Sequence, residues 1–160
     1  MVSIHLICVG KLKEKHFAAA CAEYGKRLST ACKLTVTELP EERLPDAPSP
    51  AQVEAALQKE GEAILAKLPK NAKVIALCVE GDLLSRPQLA QRLEQWMVAG
   101  ASQIALLIGG SFGLHPSVKA RAQLRLSMSP MTFPHHLARV MVLEQLYRAF
   151  QISAGTRYHK

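Results

Sequence analysis

No CxxC pair and no cluster of histidine and cysteine at metal-ligand spacing occurs in the 160 residues. A zinc-organised domain and a dithiol redox motif are therefore not expected, nor is any metal. The four cysteines (Cys8, Cys21, Cys32 and Cys78) are scattered, and Cys8 and Cys78 lie inside apolar runs that suit buried, reduced thiols. No apolar run approaches the roughly 18 residues needed to span a membrane. The N-terminal stretch MVSIHLICVGKLKEK puts its apolar run ahead of its lysines, the reverse of a signal peptide. It is expected to be a first strand of a cytoplasmic protein. Acid is scarce in the second half: residues 81–160 hold nine Lys and Arg against three Asp and Glu, whereas residues 1–80 hold 11 against 10. After Glu94 the only acid is Glu144, so the net charge of +7 belongs almost wholly to one half. Such one-sidedness fits a polyanionic partner, nucleic acid first among them, and otherwise a solvated basic face.

What is present fits one compact domain over residues 1–160, with 49% hydrophobic residues to fill its core. Val2–Val9 is a strand candidate. Lys15–Ser29 carries Phe17, Cys21, Tyr24 and Leu28 at helical spacings of three and four. Lys33–Leu39 alternates as a strand. PEERLPDAPSP, with four of the nine prolines, is a loop. Pro50–Leu68 is a helix with Val53, Leu57, Ile64 and Leu65 facing inward. Val74–Val79 is an apolar strand, and Ser85 caps a helix that Gly100 closes, burying Leu89, Leu93, Trp96 and Met97. Ile104–Ile108 is another buried strand. Strands alternating with helices predict an α/β fold with a mainly parallel sheet flanked by helices. Ligands in such sheets sit at the carboxyl ends of strands, where ALLIGGSFGLHPSV places a glycine-rich turn.

That turn admits several readings. A phosphate loop needs a lysine after its last glycine, and none follows. A dinucleotide fingerprint fails on spacing and on the missing downstream acid. Gly109-Gly110-Ser111-Phe112-Gly113 does satisfy G-x-S-x-G, the pattern of a nucleophile elbow, with Glu144 and His159 as formal partners. An elbow requires the helix to begin almost at the serine, yet Pro116 marks a later first turn. The remaining readings are a plain tight turn and a pocket lined by main-chain groups, which glycines allow a ligand to approach closely.

The last third adds two features. Leu126–Pro134 is punctuated by serine and proline but too apolar for an exposed loop, and a buried loop must satisfy its own backbone or lend it to a ligand. His135–Ile152 is a helix with Leu143, Leu146, Tyr147 and Phe150 on its apolar stripe, and Glu144 positioned to pair with Arg148 on the opposite face. Arg139 falls within the apolar stripe. Once buried it needs an anionic partner, either a structural carboxylate, a substrate phosphate or a group across an interface.

LLIGGSFGLHPSV, LSMSPMTFPHHLARVMVLEQLYRAFQI and the terminal YHK closely resemble the ribosomal RNA large subunit methyltransferase H family of the SPOUT superfamily. ICVGKLKEKHF and IALCVEG extend the resemblance over nearly the whole chain. The resemblance implies a fold of the SPOUT type with a C-terminal trefoil knot, an exception to the rule against threaded chains. It implies methylation of N3 of a pseudouridine in 23S rRNA of the ribosome, with S-adenosyl-L-methionine as cofactor and no metal, by a homodimer. Carried over position by position, the cofactor contacts fall on Leu77, Gly109, Met128, Ser129, Pro130, Met131, Thr132 and Phe133. The chain departs from some members after Leu77, where Cys78 stands in place of an acid and Glu80 follows two residues on.

For the chemistry, the N3 proton must leave while positioning supplies most of the catalysis. The candidates are His135, Arg148, Tyr158 and His159, with the tail RYHK able to reach over a bound nucleotide in its own or the other subunit. Lys119, Arg121 and Arg125 are expected to meet backbone phosphates. The competing functions are a tRNA methyltransferase, a ribosome-binding factor that has lost catalysis, and a serine hydrolase built on Ser111.

Overall fold

The computed structural model describes residues 1–155. Five parallel strands make one sheet in the order β2-β1-β4-β3-β5. They are β1 (Ser3–Val9), β2 (Lys33–Leu39), β3 (Lys73–Leu83), β4 (Gln103–Ile108) and β5 (Leu124–Ser127). The helices are α1 (Lys15–Leu28), α2 (Pro50–Lys67), α3 (Arg86–Val98), α4 (Pro116–Arg121) and α5 (His135–Ser153).

The central strands β1 and β4 are apolar along almost their whole length because helices cover both of their faces. Successive residues serve opposite layers, as the period of two demands. Ile4, Leu6, Ile104 and Leu106 meet Leu28 of α1, Leu93 of α3, and Leu143 and Leu146 of α5. Ile7, Val9, Ala105 and Leu107 meet Ile64 of α2 and Val118 of α4 on the other side.

Local signals set the helix ends. Ser49 and Ser85 each accept from the backbone N–H three residues on, and Gln52 and Gln88 answer with reciprocal bonds to the cap residue. Gly100 closes α3 in a left-handed conformation (φ +103°) that a glycine adopts without strain.

Three features depart from the sequence reading. β3 continues past Val79 to Leu83, but its register against β5 jumps, so that Leu77 and Asp82 both face Leu126. Gly81 allows the return: a Cβ there would lie 2.7 Å from the backbone of Arg125. The stretch Leu126–Pro134 is not a buried loop throughout. Leu126 and Ser127 are buried strand residues, whereas Met131 is 73% exposed. Finally, Glu60 is buried on the inner face of α2 among residues expected to be apolar.

Candidate active site

β1, β3, β4 and β5 end at the same edge of the sheet, the edge where parallel α/β folds hold ligands. A cavity of about 360 Å³ opens there. One wall is the glycine turn after β4. Gly113, at φ +81°, donates its N–H to the Gly110 carbonyl at 3.1 Å. The chain folds back so tightly that a Cβ on Gly109 would run into the Gly113 carbonyl. The other walls are the end of β3 (Leu77, Cys78, Glu80) and the segment from Met128 to Phe133, with His135 beneath.

Short polar bonds shape the apolar segment. Ser127 Oγ donates to the Ser129 carbonyl at 3.0 Å, and Met131 N–H donates to Ser129 Oγ at 3.0 Å. Of the expected cofactor contacts, Leu77, Gly109, Met128, Ser129, Met131, Thr132 and Phe133 line this one cavity. Pro130 lies in the same segment but its side chain is outside the lining. Apolar side chains on two sides and main-chain groups of a glycine turn on the third suit a flat heterocycle with a polar edge.

The turn is not a nucleophile elbow. α4 begins at Pro116, and its cap is His115, whose Nδ1 accepts from Ser117 N–H. Ser111 lies upstream in the turn, exposed, with its N–H donated to Glu41 Oε2 at 2.8 Å.

His135 opens α5 inside the cavity wall. Burial lowers its pKa, His136 and Arg139 lower it further, and Glu41 and Glu14 oppose them. The ring is thus poised as a neutral proton acceptor at neutral pH. Arg148 is on the same helix, thirteen residues on, about 20 Å along the axis at 1.5 Å per residue. It pairs with Glu144 at 2.9 Å and lies over the Tyr147 ring, outside this cavity. Tyr158 and His159 fall outside the described residues.

The basic residues named for phosphate contact have mixed surroundings. Lys119 forms an ion pair with Glu80 at the cavity rim, and this bond holds the Glu80 carboxyl below its ordinary pKa. Arg121 donates to the Ala72 carbonyl at 3.2 Å. Arg125 is exposed on the edge strand β5. Arg139 takes the structural role: its guanidinium meets Glu38 at 2.6 Å and the Gly10 carbonyl at 3.2 Å.

Sequence reasoning missed Glu41 and the Glu80–Lys119 pair. Neither has a local pattern, because each joins segments that only the sheet order brings together. Among the described residues there is no group of three or more His, Cys, Asp or Glu able to hold a metal ion, and no helix is long and apolar enough to cross a membrane.

Residues 2–159 match the protein family described as "Predicted SPOUT methyltransferase". Three curated relatives, each called "Ribosomal RNA large subunit methyltransferase H", align over 99% of this chain and 100% of their own length. They come from Clostridium novyi (50% identical), Bifidobacterium animalis subsp. lactis (48%) and Ligilactobacillus salivarius (46%). A solved structure of a probable methylase family protein from Haemophilus influenzae superposes with a TM-score of 0.53 at 15% identity, covering 95% of this chain and 68% of that one. That likeness concerns the fold alone.

Proposed function

Because this chain belongs to the SPOUT methyltransferase family, we infer that it methylates large-subunit ribosomal RNA, at N3 of a pseudouridine in the 23S rRNA of an assembled ribosome. The observation that carries the reading is the cavity itself: the glycine turn and the Met128–Phe133 segment, 15 residues apart in sequence, converge on one space with His135. S-adenosyl-L-methionine suits this space: Met128, Met131 and Phe133 would hold its adenosine, and the Gly109–Gly113 backbone would meet its polar groups. When bound, its sulfonium supplies an electrophilic methyl group.

The residues of the chain then have to orient the base and remove a proton. His135 would accept the N3 proton and become an imidazolium as the base is methylated, while the glycine turn and the Met128–Phe133 segment would hold the methyl donor. The exposed apolar side chains Val79, Phe112, Met131 and Phe133 line the cavity and its mouth, which supports closure by a second copy of the chain. Arg148, Tyr158 and His159 are the further catalytic candidates in this homodimer, the RYHK tail serving its own or the other subunit. The C-terminal trefoil knot, a cytoplasmic location and a single methyltransferase domain over residues 1–160 belong to the same reading.

The test is transfer of labelled methyl from S-adenosyl-L-methionine to ribosomes that lack the modification, beside free 23S rRNA and tRNA. Label recovered as N3-methylpseudouridine from ribosomes is the expected result. Label on tRNA, or on no RNA, overturns the reading.

A further inference from the structure

Glu41 belongs to the proline-rich loop after β2, yet its carboxylate lies against a turn 70 residues away. β2 and β4 are not neighbours, since β1 runs between them. To reach Ser111, Glu41 must pass over the end of β1, where Gly10 follows directly on Val9. A Cβ placed on Gly10 would come 3.4 Å from His135 Cε1 and 3.9 Å from Glu41 Oε1. A longer side chain would fill the space that the carboxylate and the imidazole share. On the far side, a Cβ on Gly110 would collide with the Glu41 carboxylate, with its Cδ at 2.9 Å. Two glycines on two strands' ends thus leave room for one acidic side chain.

We propose that Glu41 is a positioning residue, a strap that holds the cofactor-binding turn through Ser111 N–H and sets the electrostatic surroundings of His135. The Ser111 N–H is the one backbone donor at the tip of the Gly110–Gly113 turn that Glu41 Oε2 receives, at 2.8 Å. Fixing that peptide fixes the orientation of Gly110 and Phe112 on the cavity wall. The other oxygen, Oε1, lies 3.9 Å from a Cβ placed on Gly10, the same point that His135 Cε1 approaches at 3.4 Å. His135 is faced by His136 and Arg139 from its own helix, by Glu14 from the residue before α1, and by Glu41 from the β2 loop. His136 already has Glu14 at 3.1 Å, and Arg139 has Glu38 at 2.6 Å. Among the described residues, Glu41 is therefore the carboxylate near His135 that is not paired with another cation.

The consequence for cofactor binding rests on the function proposed above, but the strap itself does not, so the two are tested separately. In the unliganded protein, hydrogen exchange at the Ser111 amide reads the strap. Glu41→Ala should lose protection there, and Glu41→Gln, which keeps an acceptor oxygen, should retain most of it. A histidine titration followed by NMR reads the charge. Both variants should lower the His135 pKa, because removing a nearby negative charge disfavours the imidazolium. Titration with S-adenosyl-L-methionine should show about threefold to tenfold weaker binding for Glu41→Ala, the range for losing an exposed charge-assisted bond, and recovery in Glu41→Gln. A change in fold stability alone would move none of the Gln-versus-Ala differences. Unchanged Ser111 exchange and an unchanged His135 titration in Glu41→Ala would overturn the strap. Absence of cofactor binding in the unmutated protein, with both strap signatures present, would instead overturn the cofactor reading.

Discussion

Arg139, in the first turns of α5, places its guanidinium 2.6 Å from the carboxylate of Glu38 at the end of β2. The same guanidinium reaches the Gly10 carbonyl at the end of β1. One side chain, 3% exposed, therefore ties the helix that carries His135 to two strand ends. Glu38 also accepts from Leu12 N–H at 2.9 Å, which aligns the chain leaving β1.

Replacing Arg139 with methionine should cost about 3 kcal/mol, as breaking a buried pair strands its partner. Urea unfolding measures it. The double variant with Glu38→Gln should lose less than the sum of the singles. Burial opposes the Glu38 charge, but bonds from Arg139 and Leu12 hold its pKa below the ordinary 4.5. A depressed carboxylate stabilises the fold above the ordinary value. That part of the stability should fade as pH drops below 4.5 toward the folded-state value, and Arg139→Met should remove this acid-side slope.

Gly109→Ala should reduce both stability and cofactor binding. Its methyl meets the Gly113 carbonyl, which is backbone and has no rotamer to escape into. A cost of about 2 kcal/mol is expected from overpacking. Thermal unfolding and calorimetric titration with S-adenosyl-L-methionine check the two parts. Unchanged affinity would separate the turn from the cofactor.

Glu60 shows the opposite sign from Glu38. Burial raises its pKa, the Glu42 N–H bond lowers it, and Glu41 and Glu42 raise it again. A raised carboxyl contributes stability below its ordinary pKa and loses it as pH rises through the folded-state value. Glu60→Gln keeps an acceptor for the Glu42 N–H, which lies 2.8 Å from the carboxylate. The variant should melt higher than the parent at pH 8 and no higher at pH 4, followed by circular dichroism.

The cysteines should divide by burial. Desolvation pushes the Cys8 thiol up to about 12 and the Cys32 thiol up to about 11. Neither should react with iodoacetamide at pH 8 in the folded protein. Cys78 lines the cavity. Its modification should slow when S-adenosyl-L-methionine is added, and mass spectrometry of peptides distinguishes the sites.

Much of the fold was legible because its signals are local. The capping Ser85, the helix-closing Gly100 and the apolar strands each carry their own pattern, and the sheet follows from their alternation. Arg139 announced its need for an anion by its place on an apolar stripe, though not which anion. β5 was hidden, because four residues are too few to show a period. The return of β3 at Gly81 was hidden too, since only contact with Arg125 gives that glycine a reason. The apolar segment after β5 looked buried because apolar composition does not distinguish a core from the wall of an open cavity. Glu41 lay in a loop, and its partner Ser111 is 70 residues away across an intervening strand. The family resemblance located the cavity wall residues that periodicity alone left among several readings.

The most direct test is amide chemical-shift mapping of the isotope-labelled protein during titration with S-adenosyl-L-methionine. Saturable shifts centred on Gly109–Gly113, Leu77 and Met128–Phe133, with His135 among them, are the expected result. Saturable shifts confined to another surface, or none at millimolar cofactor, would contradict it.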